Sequence, residues 1–286
     1  MAGLAMLGLG VILAVTLAVA NSKLHVYEDP RIDQVEEMLP GANCGACGTP
    51  GCRAFAEACV EGAISPGKCT VNDPANNEAI ASLLGVDAGA AEKRVARLAC
   101  AGGNHVAWTR AQYDGLQSCQ GATLVSGGGK GCVWGCLGLG DCQTVCEFGA
   151  IEMSEQGLPV VDEALCTACN ACVVACPKDL FSLQPVSHRL WVACKSLAQG
   201  DEALEECEVA CTGCGRCAAD APDGLVTIEN GLAVVDYSRN RLATQKVIQR
   251  CPTGAIVWFD DRQGAVKGAE AKRITRKSPL PLGKGG

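Results

Sequence analysis

Aromatic side chains are scarce in this chain, at 4% of its 286 residues, and only three histidines occur. So few large side chains make a thin core for the length, and small domains short of apolar bulk draw stability from disulfides or metals instead. The same scarcity, with a formal net charge of −7, argues against a nucleic-acid partner, which requires basic grooves and rings that stack on bases. No G-x-G-x-x-G fingerprint is present, so NAD or FAD binding would have to come from elsewhere. The run Ser126-Gly127-Gly128-Gly129-Lys130-Gly131 fails as a phosphate loop, because Leu124 replaces the first glycine and no Ser or Thr follows the lysine. It reads as a connector. His25, His105 and His188 are scattered and read as surface or core residues rather than ligands.

Charge is missing altogether from Met1 to Ser22, where Thr16 is the only polar residue before Asn21. About 20 apolar residues are needed to cross roughly 30 Å of hydrocarbon, so 1–22 is expected to be a single N-terminal transmembrane helix in contact with lipid. Ala18-Val19-Ala20 resembles a signal-peptide cleavage site, but the basic leader segment is absent. Without an ionisable group the segment tethers and cannot relay protons or cations. Lys23 favours a cytoplasmic location for the rest of the chain.

Against these absences stand 21 cysteines and 35 glycines. Cysteine density reads as disulfides in an oxidising space and as metal ligation in a reducing one. Spacing decides. Asp29-Pro30 reads as an N-cap followed by proline at the first helical position, with Ile32, Val35 and Leu39 on one face. Pro40-Gly41 stops that helix just before Cys44-x2-Cys47-x4-Cys52-x16-Cys69. A cubane needs four converging thiolates and backbone N–H groups near its sulfides, which a glycine-rich loop supplies. A small helical [4Fe–4S] domain is expected over 28–85. Zinc is the rival occupant. Cys59, at helical spacing from Phe55, reads as a buried structural thiol.

Cys166-x2-Cys169-x2-Cys172-x3-Cys176-Pro177 is the bacterial ferredoxin run, in which the fourth cysteine serves the other cluster. Upstream, Cys136-x2-Leu139-x2-Cys142-x3-Cys146 keeps the spacing but has leucine at the second position. Cross-ligation gives one set of Cys166, Cys169, Cys172 and Cys146. The other set is Cys136, Cys142 and Cys176 with a vacancy, for which Cys132 is the candidate; left unfilled, the set suits a three-iron cluster. These sets define a two-cluster ferredoxin-like module at 93–190.

A second, degenerate module spans 191–260. Cys211-x2-Cys214-x2-Cys217 is intact, its fourth position is Ala221, and the companion run retains only Cys251-Pro252. Counting back from Cys251 lands on Arg241, Thr244 and Val247. Under cross-ligation all four lost positions belong to one cluster, and Cys211, Cys214, Cys217 and Cys251 belong to the other. One cluster has gone as a unit. Asn230-Gly231 marks a hairpin between Val226–Ile228 and Leu232–Val235, with a counterpart at Ile151–Met153 and Val160–Val161.

Cys119-x12-Cys132-x3-Cys136 matches Cys194-x12-Cys207-x3-Cys211 in spacing. The repeat cuts against Cys132 as a ligand, because Cys207 precedes a complete set. Cys100, Cys119, Cys194 and Cys207 stay unassigned between a further metal site and structural or redox thiols. The segment 261–286 carries seven basic residues against two acids and reads as a flexible, solvated tail. The whole reads as α+β, with four [4Fe–4S] clusters.

The anchor, Leu39-Pro40-Gly41-Ala42-Asn43-Cys44-Gly45-Ala46-Cys47 with Gly51-Cys52, Gly135-Cys136-Leu137-Gly138-Leu139-Gly140-Asp141-Cys142, and Cys166-Thr167-Ala168-Cys169 together resemble the B subunit of the Rnf ion-translocating ferredoxin:NAD oxidoreductase, in its long form with two ferredoxin modules. The likeness covers nearly the whole chain; the departure is the missing last cluster. It implies an electron-transfer subunit on the cytoplasmic side of the inner membrane. Soluble ferredoxin would donate electrons, and other subunits of the complex would receive them. NAD reduction and ion movement would then occur on those subunits, with no substrate-converting site here. An electron-transfer subunit of another membrane dehydrogenase, and a zinc-stapled anchoring scaffold, are the alternatives.

Overall fold

Two units divide the chain, Met1–Gly89 and Ala90–Gly286, in a computed structural model that describes residues 2–24, 28–89 and 92–283. Met1, His25 and residues 284–286 of the expected tail lie outside the described residues.

The first unit begins with α1 (Ala2–Leu24). Its large apolar side chains from Met6 to Val19 are exposed. Among the described residues no helix is long and apolar enough to cross a membrane; within α1 the described side chains run from Met6 to Ala20, then Ser22 and Lys23. Beyond it, α2 (Pro30–Glu37) starts as its sequence predicts, with the Asp29 carboxylate accepting the Arg31 N–H at 2.9 Å and Pro30 at the first position. Then α3 (Cys52–Val60) and α4 (Pro74–Leu84) follow, the latter capped by Asp73 and closed at Gly85 with φ +68°. Val35, Leu39, Phe55, Ala56, Cys59 and Ile80 form one buried cluster. Cys59 therefore is a core thiol, as its helical spacing from Phe55 predicts.

The second unit is built from short antiparallel pairs. In chain order its elements are β1 (Arg94–Leu98), α5 (Cys119–Leu124), α6 (Asp141–Thr144), β2 (Ile151–Met153), β3 (Pro159–Val161), α7 (Ala171–Ala175) and β4 (Phe181–Pro185). There follow β5 (Leu190–Val192), α8 (Gly200–Glu206), α9 (Arg216–Asp220), β6 (Val226–Glu229), β7 (Leu232–Val235), β8 (Ile256–Asp260) and β9 (Gly264–Val266). Both expected hairpins form, as β2–β3 and as β6–β7 across the Asn230-Gly231 turn. Each hairpin lies between the members of an outer pair that the sequence pattern did not reveal: β1 with β4, and β5 with β8. The second unit is thus two copies of one strand–hairpin–strand plan, and the expected boundary at 190/191 falls inside β5.

Side-chain and backbone contacts tie the copies together. The Trp191 indole N–H donates to the Leu98 carbonyl at 2.8 Å. Arg97, 4% exposed in β1, pairs with Glu163 and lies 3.6 Å from the centre of the Phe259 ring. Backbone bonds also cross, with Ala101 N–H donating to Ala193 O at 3.0 Å.

The stretch after Asp261 departs from the expected free tail. Lys272 and Arg276 both bind Glu208, at 3.1 and 2.7 Å, and Ile274 packs on a buried cluster around Val106 and Cys207. Leu280 N–H then donates to Asn104 O and Gly283 N–H to Thr109 O, each at 2.9 Å. Its basic residues have an internal carboxylate to meet, so it lies down as a strap.

Candidate metal centres

Four cavities of nearly equal size, 330 to 360 Å³, are each lined by four cysteines. Three of the four quartets are the complete sets expected from spacing. In the first unit Cys44, Cys47, Cys52 and Cys69 surround about 330 Å³. The loop closes because Asn43 Oδ1 accepts the Cys52 N–H at 2.8 Å, while Gly45 and Gly48 turn through positive φ. Cys59 does not line that cavity; burial, then the charges of Cys47 and Cys69, push its thiol up to about 11.

In the second unit Cys146, Cys166, Cys169 and Cys172 surround about 330 Å³, and Cys211, Cys214, Cys217 and Cys251 about 360 Å³. In both, the last cysteine of one run faces the first three of another. Backbone N–H groups already point at several sulfurs. Ala150 donates to Cys146 Sγ at 3.3 Å, Ala96 to Cys166 Sγ at 3.4 Å and Leu180 to Cys176 Sγ at 3.5 Å. Such donors tune a cluster's potential.

The structure corrects the fourth expected set. Cys132 does not join Cys136, Cys142 and Cys176; it lines a different cavity, with Cys100, Cys194 and Cys207. Cys119 is the cysteine that lies near Cys142 and Cys136 instead. The Asp141 carboxylate accepts the N–H groups of Cys119 at 2.9 Å and Gln120 at 3.1 Å, together with the Ser118 hydroxyl at 3.0 Å. That clamp draws the start of α5 onto the residue next to Cys142. After burial, the neighbouring Cys119 raises the Cys142 thiol most, and Cys176 adds to it more weakly. Nothing in the spacing singles out Cys119; the only signal was Asp141, which reads as an ordinary loop acid.

The region around positions 221 and 241–247, where spacing expects ligands and none occur, is filled rather than open. Val247, Ile248 and Leu225 are fully buried there, with Ala221 and Ala243 packed against them. Arg241, which could have supplied the lost bulk, is exposed instead. Aliphatic side chains fill the gap at no desolvation cost, whereas a lone guanidinium would be expensive to bury.

Several of the buried thiols resist ionisation. Burial, followed in each case by the charge of a neighbouring cysteine, raises Cys136, Cys142, Cys172 and Cys217 to about 12. Binding a cationic cluster is what converts such thiols to thiolates, with release of their protons. Among the described residues no three His, Cys, Asp or Glu side chains stand close enough to hold a single ion.

Two family models overlap parts of these sites. A family described as "Putative Fe-S cluster" matches residues 39–71, and the "4Fe-4S binding domain" family matches 159–181. The chain is 41% identical over 247 residues to the B subunit of the Na(+)-translocating ferredoxin:NAD(+) oxidoreductase complex of Acetobacterium woodii, covering 86% of this chain and 74% of that one. It is 38% identical to the B subunit of the ion-translocating oxidoreductase complex of Methanosarcina acetivorans, over 87% and 94% of the two chains. With the B subunit of the proton-translocating ferredoxin:NAD(+) oxidoreductase complex of Clostridium ljungdahlii it shares 39% identity, over 87% and 88%. Similarity at this level, running through both units, makes the chain a member of the B-subunit family of ion-translocating ferredoxin:NAD oxidoreductase (Rnf) complexes.

Proposed function

We propose that this chain is the iron–sulfur electron-transfer subunit of an ion-translocating ferredoxin:NAD oxidoreductase, carrying electrons from reduced soluble ferredoxin toward other subunits of the complex. The observation that carries this reading is the recurrence of one object: a cysteine quartet around a cavity of 330 to 360 Å³. Four [4Fe–4S] clusters are assigned to Cys44, Cys47, Cys52 and Cys69; to Cys146, Cys166, Cys169 and Cys172; to Cys211, Cys214, Cys217 and Cys251; and to Cys119, Cys136, Cys142 and Cys176. The clusters supply one-electron chemistry, and the chain supplies ligand spacing, burial and N–H donors that set each potential. Cys214 is exposed, which suits its quartet to exchange electrons with a docked partner.

Anaerobic purification tests the reading. The expected product is brown, holds at least about sixteen irons and as many sulfides per chain, and bleaches when reduced ferredoxin is added. A colourless protein containing zinc would overturn it in favour of an anchoring scaffold. Clusters that ferredoxin leaves oxidised would instead favour a subunit of another membrane dehydrogenase.

The charge-free stretch 1–22 and the exposed apolar side chains of α1 support a second element of the proposal. This segment anchors the chain in the inner membrane as a single span, with the cluster domains on the cytoplasmic side. Removing residues 1–24 is expected to move the protein from the alkali-washed membrane fraction to the soluble one. Unchanged retention in cells lacking the partner subunits would sink the anchor.

A further inference from the structure

Cys100, Cys132, Cys194 and Cys207 are left outside the four clusters assigned above, and they meet one another. They line a cavity of about 340 Å³, within the range of the three cavities bounded by complete ligand sets. None of them is paired in a disulfide. We propose that these four thiols bind a fifth cubane [4Fe–4S] cluster, seated between the two ferredoxin-like modules. The inference rests on the iron–sulfur reading of the other quartets and extends it to a site that spacing does not announce.

The site is built with twofold repetition. Cys100 follows β1 after Leu98-Ala99, and Cys194 follows β5 after Val192-Ala193. Cys132 stands four residues before Cys136, and Cys207 four residues before Cys211. Each copy of the strand–hairpin–strand plan therefore contributes one cysteine from the end of its first strand and one from just ahead of its ligand run. The matched Cys119 and Cys194 spacing in the sequence is thus misleading, because the structural counterpart of Cys194 is Cys100.

Two hydrogen bonds repeat the same symmetry. The Cys136 N–H donates to Cys100 Sγ at 3.4 Å, and the Cys211 N–H donates to Cys194 Sγ at 3.4 Å. Each donor belongs to a cysteine of a neighbouring ligand set. The fifth site is therefore in hydrogen-bonded contact with one quartet of each module, the arrangement an electron relay between them requires. It also sits beside the module that has lost a cluster.

Charge and packing suit a thiolate-bound cluster, whose four ligands leave it net negative. Lys130 lines the cavity, and its ammonium group is held by the Gly102 and Cys136 carbonyls at 2.6 and 2.5 Å. The strap formed by the C-terminal stretch closes over the Val106–Cys207 cluster through Ile274. A pair of disulfides would need neither the lysine nor the open volume.

Native mass spectrometry of the anaerobically purified full chain counts clusters directly. The expected count is five, with about twenty irons per chain, falling to four in Cys194→Ser/Cys207→Ser. Cys132→Ser and Cys207→Ser, as members of one quartet, should remove the same electron paramagnetic resonance signal, and Lys130→Met should lower its midpoint potential. Cys59→Ser, outside every quartet, should leave the count at five. A wild-type count of four that the double variant does not change would overturn the fifth site while leaving the other clusters standing. So would a zinc ion, or a disulfide among these four cysteines. No iron at all would refute the underlying reading instead.

Discussion

The ligand loops of the two ferredoxin-like modules follow the same path with different residues. In the first module the loop from Cys166 to Cys172 bends through Ala168 at φ +57° and Asn170 at φ +72°; in the second, Gly213 at +67° and Gly215 at +74° occupy the equivalent places. The incomplete run of the first module also uses glycine, with Gly138 at +76° and Gly140 at +83°. Wrapping a chain around four converging sulfurs demands left-handed backbone, which glycine adopts freely and alanine at a cost of roughly 1–2 kcal/mol. Alanine at 168 persists because the surrounding contacts hold the loop there. Ala168 itself is buried.

The modules part company where ligands were lost. In the first, where leucine stands at 139, the Asp141 clamp on α5 holds a cysteine from outside the run, Cys119, close by, and under the assignment proposed above it replaces the missing ligand. In the second, the four positions that ferredoxin spacing would give to one cluster carry no cysteine, and Val247, Ile248 and Leu225 form a buried aliphatic cluster there. A site missing one thiolate can be repaired by one neighbour. A site missing all four is more cheaply turned into core, because aliphatic packing satisfies itself and an empty polar cavity does not.

The largest test of this contrast is Cys119→Ser. It should remove or convert the cluster of Cys136, Cys142 and Cys176, with a loss of up to about four irons per chain, and leave the signal shared by Cys132 and Cys207 unchanged. Should Cys119→Ser keep every cluster while Cys132→Ser strips the Cys136 set, the assignment reverts to the one suggested by proximity in sequence. A smaller effect tests the refilled half. Val247→Ala opens a fully buried position and should cost about 2 kcal/mol, read as a lower denaturant midpoint for bleaching of the Cys211 cluster. Arg241→Ala, on an exposed side chain, should shift that midpoint negligibly. The reverse order would mean that Arg241, not the aliphatic cluster, supports the emptied site.

Much of this was legible in one dimension. Twelve cysteines in three sets were placed by spacing alone, since C-x2-C-x2-C loops bring their ligands together within a few residues. Both hairpins were readable, one from Asn230-Gly231, because two-residue turns are local chemistry. The outer strands were not. Residues Arg94–Leu98 are buried at three successive positions rather than in alternation, and one of the three is an arginine, buried with an ion-pair partner 66 residues away. Neither feature belongs to a strand pattern.

The sequence by itself determined the chemistry of this protein: cysteine in ferredoxin spacing, glycine where the ligand loops turn, the pattern of a cluster lost as a unit, and a family likeness. Only the tertiary structure decided partnership among the remaining cysteines. It placed Cys119 near Cys142, gathered Cys100, Cys132, Cys194 and Cys207 across two copies of one plan, and laid the basic C-terminal stretch on Glu208. The physical reason is sequence distance. Ligands in one loop are neighbours by covalent geometry, whereas thiols 94 residues apart, such as Cys100 and Cys194, meet only where the packing of one copy on the other carries them.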